Sequence, residues 1–372
     1  MIPKQYSVLL KDNTGNLISN IENKITSLSW EWNRIGGCGA CNMRIDEEWD
    51  AVLVSSFAED YGVEVYLPTL NGTAELWYSG YIDKVKPNVT GTEETVDVLC
   101  LGYINQLKRV TIKDKTYLGI EISNAVKDIA EVYSTGITSV TSTSADYDDT
   151  GFSADRLYFN ESAYDCIKKL ANIAGKREYG VRADKSLFFK ARDNTATRQY
   201  NITEDFVSFK PVRDYNPIIT KIYLEGGENY TATFSVTNRI TTRETIVSNS
   251  SVVTQSVGQQ FARMWLKEHG RIRRSYTAKM VDQQERIEST VPLGMANVNI
   301  ATGIRNKYDI TANLYDGGTK YDGGTESYQI ERINYMLTDT GVNVTINFGP
   351  LPPSMAEEMD RLEYELTNQR NI

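Results

Sequence analysis

The stretch YQIERINYMLTDTGVNVTINFG, residues 328–349, decides how the rest of the chain is read. It has the pattern of a β-hairpin folded about Asp339-Thr340-Gly341: two alternating runs on either side of a glycine that permits a tight turn. An earlier stretch, YIDKVKPNVTGTEETVDVLCLG, residues 81–102, has the same order of features. Each opens on an aromatic residue, then places apolar residues three apart: Ile82 and Val85, Ile330 and Ile333. Each carries a glycine in the turn region, Gly91 or Gly341. Each closes on an alternating strand, Val96-Val98-Cys100 or Val344-Ile346-Phe348, followed by a glycine. Upstream, Val63-Glu64-Val65 corresponds to Val298-Asn299-Ile300, again a strand before a loop. Period-two alternation is common to antiparallel strands, so the shared order carries the inference. It predicts two similar β-modules in one polypeptide.

Around these hairpins the chain divides into four. Residues 1–105 read as short strands. KQYSVLLKD and NLISNI flank Asn13-Thr14-Gly15, ITSLSWEW alternates, and GVEVYLP and ELWYSGYID flank Asn71-Gly72. They predict a first antiparallel, tube-type β-barrel domain. Residues 106–204 predict a small inserted α/β domain. Ile122, Val126, Ile129 and Tyr133 share one helix face, and Asn160 is placed to cap a second helix bearing Ile167, Leu170 and Ala174. TSVTSTSADYDDTGFSAD reads as a polar surface loop, and EYGVRADKSLFFKA as a hairpin. Residues 205–350 return to strands and predict a second β-barrel, interrupted by a helix that starts at a capping box of Ser256 and Gln259. YDGGTKYDGGT predicts exposed turns. Residues 351–372 predict a short C-terminal helix. Pro352-Pro353 breaks the strand, Ser354 and Glu357 form a capping box, and Met355, Met359, Leu362 and Leu366 are spaced 4, 3, 4 in a narrow apolar seam. Isolated helices below about 12–15 residues are marginal. These four residues are therefore a candidate interface, within the chain or between subunits. The expected class is α+β, dominated by β-structure.

Composition narrows the function. Of 372 residues, 40% are hydrophobic and 24% charged, ordinary for a globular protein, and 23 tyrosines favour strands. The net charge of −9 argues against wrapping nucleic acid by charge neutralisation. No apolar run approaches the ~20 residues of a membrane helix. The start, MIPKQYSVLLKDNTGN, lacks the basic-then-apolar pattern of a secretion signal. Four cysteines in so long a chain make no disulfide framework, and reduced thiols are expected. Cys38 and Cys41 have C-x-x-C spacing, but a structural zinc site needs four ligands. Cys100 and Cys166 read as small core residues. The glycines of GGCGAC are expected to shape a bulge. The single histidine, His269, sits at a predicted helix end, where it reads as a cap rather than a catalytic base. No phosphate-loop or dinucleotide motif is present. The basic cluster KEHGRIRRSYTAK, residues 267–279, could face a phosphate or an acidic subunit, but reads more simply as balancing an acidic chain. Trp30, Trp32, Trp49 and Trp77 could stack on sugars, though strand aromatics usually belong to cores. No catalytic, cofactor-binding or metal-binding residue is assigned, and no enzyme activity is expected.

The layout as a whole resembles a known family. The stretches that carry it are WEWNRIGGCGACNMRI, FNESAYDCIKKLANIAGKREYGVRADKSLFF, SVGQQFARMWLKEHGRIRRSYTAKMVD, VPLGMANVNI and the closing hairpin, so it covers essentially the whole chain. It resembles the tail hub proteins of tailed bacteriophages, at the baseplate or tail tip, and of related contractile injection systems. The resemblance implies a virion-tail structural protein, assembled in the host cytoplasm. It implies a homotrimer whose paired barrels form a pseudo-sixfold ring, continuing the tail tube and joined to a central spike or fibre. The implied partners are a tail tube or distal tail protein and a tape-measure protein. Double-stranded DNA passes without specific binding, and an acidic chain fits such a conduit. Two other readings compete: a carbohydrate-binding or adhesion protein, and a glycan-degrading tail enzyme. If the C-terminal seam packs, replacing Met359→Asp and Leu362→Asp together lowers the melting temperature or weakens assembly. Unchanged melting and unchanged assembly would show that the seam has no packing role.

Overall fold

The computed structural model describes residues 6–46, 57–68, 73–90, 93–133, 140–151, 153–174, 177–191, 196–201, 205–214, 219–227, 229–235, 243–249, 252–269, 273–280, 295–300, 324–338 and 341–349. In the front third lie β1 (Ser7–Lys11), β2 (Leu17–Asn20), β3 (Ile25–Asn33), β4 (Gly36–Asp46), β5 (Gly62–Pro68), β6 (Ala74–Thr90) and β7 (Glu93–Gly102). Then come β8 (Thr111–Glu121), α1 (Ile122–Asp128), β9 (Thr141–Tyr147), β10 (Ser153–Ser162), α2 (Ala163–Ile173), β11 (Glu178–Val181) and β12 (Ser186–Lys190). The rear holds β13 (Ala196–Asn201), β14 (Ser208–Asp214), β15 (Lys221–Gly226), β16 (Thr231–Ser235), β17 (Glu244–Asn249), α3 (Gln255–His269), β18 (Arg273–Met280), β19 (Met295–Ile300), β20 (Gly324–Thr338) and β21 (Gly341–Phe348).

β-Structure dominates, and most of it belongs to one sheet. Its main path is β14-β18-β21-β20-β3-β4-β7-β6-β5-β1-β2, with β19 and β13 branching from β20 and β11, β12 and β9 from β4. The front and rear thirds repeat one order: β3-β4-β7-β6-β5-β1 and β14-β18-β21-β20-β19-β13. The first five strands of each are antiparallel throughout. The sixth differs, since β1 lies antiparallel to β5 while β13 lies parallel to β19. The hairpins match position by position. Ile82, Val85 and Val89 stand where Ile330, Ile333 and Leu337 do, and each hairpin has a bulge at the same place. The glycines do not coincide: Gly341 takes the position of Glu93, and Gly349 follows Phe348 as Leu101 follows Cys100. Upstream the true counterpart of Val298 is Val65, a two-residue correction to the sequence alignment.

No ring of strands closes among the described residues. Two separate barrels were expected; one open sheet is found, because β3 of the front pairs with β20 of the rear. A single core follows from that pairing, running from Val8 and Leu10 through Trp30 and Trp77 to Ile346 and Phe348.

A second core fills the segment between the two modules. β8 pairs with β10, and α1 and α2 pack Ile122, Val126, Ile167 and Leu170 against β11 and β12. Two local expectations are corrected here. β10 continues past Asn160, and Ser162 caps α2 instead, accepting from the Asp165 N–H at 3.1 Å. The polar stretch read as a loop contains β9, which runs parallel to β12. Main-chain bonds hold its ends, from the Thr141 N–H to Lys185 O and from the Asp148 N–H to Phe189 O, both 2.9 Å. Side-chain polarity does not report such bonds. In the rear, α3 covers the three-stranded sheet β16-β15-β17 with Val257, Ala262 and Leu266. No helix among the described residues is long and apolar enough to cross a membrane.

The glycine pair Gly36-Gly37 docks the second core on the sheet. β11 crosses it in parallel, Gly180 opposite Gly36 and Val181 opposite Gly37. Both glycines have left-handed φ, 110° and 74°, and a Cβ on Gly37 would lie 2.1 Å from the Val181 carbonyl oxygen. The glycines of GGCGAC predict a bulge, and the β3–β4 register does shift between Trp30 and Trp32. Next to the pair, Arg34 is buried with two carboxylates. Its Nη1 donates to Glu178 Oε1 at 3.0 Å, its Nε to Glu331 Oε2 at 2.9 Å and its Nη2 to Glu331 Oε1 at 2.8 Å. Burial works to lower the Arg34 pKa, but the charges of Glu331 and Glu178 outweigh it and the net direction is up. One guanidinium thus ties the front turn, the second core and the rear hairpin together. Removing one partner of such a buried group leaves the others uncompensated, which costs about 3–5 kcal/mol. Arg34→Ala is expected to lose an amount of that order in denaturant unfolding, and Gly37→Ala to loosen β11 from β4. An Arg34→Ala loss below about 1 kcal/mol, the scale of an exposed pair, would show that the cluster does not hold the fold.

Candidate assembly face

The seam between the modules pairs Leu28 with Leu337, Trp30 with Tyr335 and Trp32 with Ile333. The Arg34 N–H donates to Glu331 O at 2.9 Å on the same ladder. Every second position from there exchanges both backbone hydrogen bonds, so these three pairs are the hydrogen-bonded ones. Their side chains point into the core. Trp30 stacks on Tyr335 at 5.4 Å and 18°, and Trp77 meets both edge-on, at 6.3 Å and 5.3 Å. Trp30, Trp32 and Trp77 are only 2–3% exposed, so none offers a ring to a sugar. Trp49 lies outside the described residues.

The other face of the same strands is polar. Ser29, Glu31 and Asn33 on β3 continue into Arg332, Asn334 and Met336 on β20, then Asn343, Thr345 and Asn347 on β21. A shallow groove of about 390 Å³ runs here, lined among others by Ser29, Glu31, Asn42, Asn334, Met336 and Asn343. Two acids of this face, Asp97 and Glu31, stand against arginines. Arg44 forks onto Asp97, with Nε–Oδ1 at 2.7 Å and Nη2–Oδ2 at 3.2 Å, and that bond chiefly holds the Asp97 carboxyl below its usual range. Arg332 donates to Asn33 Oδ1 at 2.8 Å and stands 3.8 Å from Glu31. Lys84, Lys86 and Lys279 are exposed. The acidic balance of the chain is therefore not carried by this face. The face can hydrogen-bond a polar surface.

The sequence-predicted interface residues Met355, Met359, Leu362 and Leu366 lie outside the described residues. The four cysteines are free and buried. Cys41 stands opposite Cys100, and burial first, then its contact with Cys100, pushes the Cys41 thiol well up. It stays protonated at neutral pH and out of reach of solvent. Among the described residues no group of three or more His, Cys, Asp or Glu is placed to hold a metal. His269 ends α3, and the basic run enters β18, where Arg273 lies opposite Asp214. Sequence reasoning missed Arg34, Glu178 and Glu331. An arginine in a tight turn beside a glycine pair was the available signal.

No protein-family model matches the chain, and no curated protein matches it in sequence. Solved structures do match. The tail protein from Neisseria meningitidis MC58 superposes with a TM-score of 0.65 at 9% identity, over 93% of this chain and 96% of that one. The 43 kDa tail protein of prophage MuSo2 from Shewanella oneidensis gives 0.65 at 13% identity, over 92% and 98%. A prophage tail protein from Listeria monocytogenes EGD-e gives 0.59 at 12% identity, over 97% and 99%. This chain has the fold of those phage tail proteins.

Proposed function

We propose that the chain is a structural hub of a phage tail tip or baseplate, a homotrimeric ring that continues the tail tube and joins it to a central spike or fibre. The observation that carries this is the repeated strand order of the front and rear modules within one sheet. Three copies supply six near-equivalent modules, so a threefold ring can meet a sixfold partner on one side and a threefold partner on the other. The fold shared with prophage tail proteins supports the location in the virion tail.

In this reading residues 1–105 and 205–350 are the two tube-type β-domains, joined in one sheet through β3 and β20. Residues 106–204 form the inserted α/β domain, and residues 351–372 add a helix whose Met355, Met359, Leu362 and Leu366 pack within or between subunits. The polar face of the shared sheet lines the conduit, with Asp97 and Glu31 standing against arginines and its middle rich in amides. Double-stranded DNA slides past it during ejection. The tube or distal tail protein and the tape-measure protein meet the ring from above. The role is structural, with no cofactor and no catalysis. Mixed with the neighbouring tail proteins, the purified chain is expected to give a trimer by native mass spectrometry and a ring of sixfold appearance by electron microscopy. Persistence as a monomer in that mixture overturns the reading.

A further inference from the structure

Among the described residues, each chain completes one seam between its modules and leaves the two halves of a second seam open. β20 is paired along both edges: β21 on one, and on the other β19 followed by β3. Its counterpart β6 has β7 on one edge and β5 on the first half of the other. Residues 84–90 of that second edge carry no strand among the described residues. β3 likewise has β20 and β4 as neighbours, whereas its counterpart β14 has, among the described residues, only β18. Among the described residues the two open edges do not pair with one another within one chain. Seven strand steps separate β14 from β6 along the sheet, roughly 33 Å at about 4.8 Å each.

We infer that copies of this chain join edge to edge, β14 of one copy pairing antiparallel with residues 84–90 of the next, in the register that β3 makes with β20. The inference specifies the subunit contact of the trimeric hub and rests on that reading for the number of copies. The register follows from the two ladders. Trp30 lies opposite Cys41 and Pro211 opposite Tyr276, in equivalent strands, so Pro211 stands in the place of Trp30. Tyr335 and Pro87 are equivalent in the same way. The intermolecular pairs are then Phe209 with Val89, Lys210 with Asn88, Pro211 with Pro87 and Asp214 with Lys84. Asp214 meets Lys84, an acid opposite a base, where the internal seam sets Asn33 against Arg332.

Exposure fits. Val89 is 64% exposed, although its counterpart Leu337 packs against the core. The prolines set the strength of the contact. Pro211 and Pro87 fall at the position of the hydrogen-bonded pair Trp30–Tyr335, and neither has an N–H to donate. The pairs at 209/89 and 213/85 remain. An edge interrupted by proline resists pairing with stray strands, and this seam is weaker than the internal one. Dilution should therefore separate the ring into folded chains before those chains unfold.

The test is a cross-link at a pair outside the core. Lys210→Cys with Asn88→Cys in one chain puts thiols at a non-hydrogen-bonded position, where Cα atoms are ~4.5 Å apart. Under copper–phenanthroline oxidation, covalent dimers and trimers are expected on non-reducing gels, reversed by dithiothreitol. Mixing the two single variants should give only covalent dimer. Lys210→Cys with Lys86→Cys, shifted by two residues, should cross-link far less, because Cα separations beyond about 7 Å do not bridge. A trimer by native mass with no cross-link at the matched pair, or with equal cross-linking of the shifted pair, overturns the edge contact and leaves the hub reading standing. Monomers without cross-links, even with the neighbouring tail proteins present, overturn both.

Discussion

The pairing of β3 with β20 is the constraint on which the rest depends. It brings residues 25–33 against a strand some 300 positions away, and the Arg34–Glu331 bond spans 297 positions of sequence. Without it the front and rear modules would each end in an open edge over half a core. With it the sheet is continuous, Trp30, Trp77 and Tyr335 form one aromatic cluster, and a single core spans both modules. Contacts of such separation carry a large loop-closure cost before they stabilise anything. The seam accordingly combines three reinforcements: backbone bonds, stacked aromatic rings and a buried ion cluster.

The second core is held to this sheet by a small contact with little tolerance. Gly37 and Gly180 let β11 approach closer than any side chain would allow. Arg34, one turn away, is satisfied only when β11 and β20 are both in place. Buried charges of this kind add little net stability but penalise wrong arrangements heavily. The cluster is complete in one arrangement of the three segments.

Much of the fold was legible in the chain itself. Alternation located the hairpins, helical spacing located α1, α2 and α3, and Cys100, Cys166, Trp30, Trp32 and Trp77, read as core residues, are buried. The failures have physical causes. β9 is polar in sequence yet forms a strand, because backbone bonds to β12 hold it in place. α2 begins at Ser162 because β10 runs on, a decision made by pairing with β8 rather than by the strength of a cap. The glycines that seemed to align the two hairpins do not coincide. The alternating strands do, because register answers to which face is buried and a turn glycine can shift by a residue or two.

The sequence by itself determined the local elements, the duplication of the hairpin and the absence of a recognisable catalytic motif. These are properties of residues near one another in the chain, set by side-chain period, turn chemistry and residue type. Only the tertiary structure decided that the two modules share one sheet, that Arg34 gathers Glu178 and Glu331, and which strand edges remain open. Those outcomes depend on which edges meet. Backbone N–H and C=O groups are the same at every residue, so the sequence carries no local mark of the partner that each edge will find.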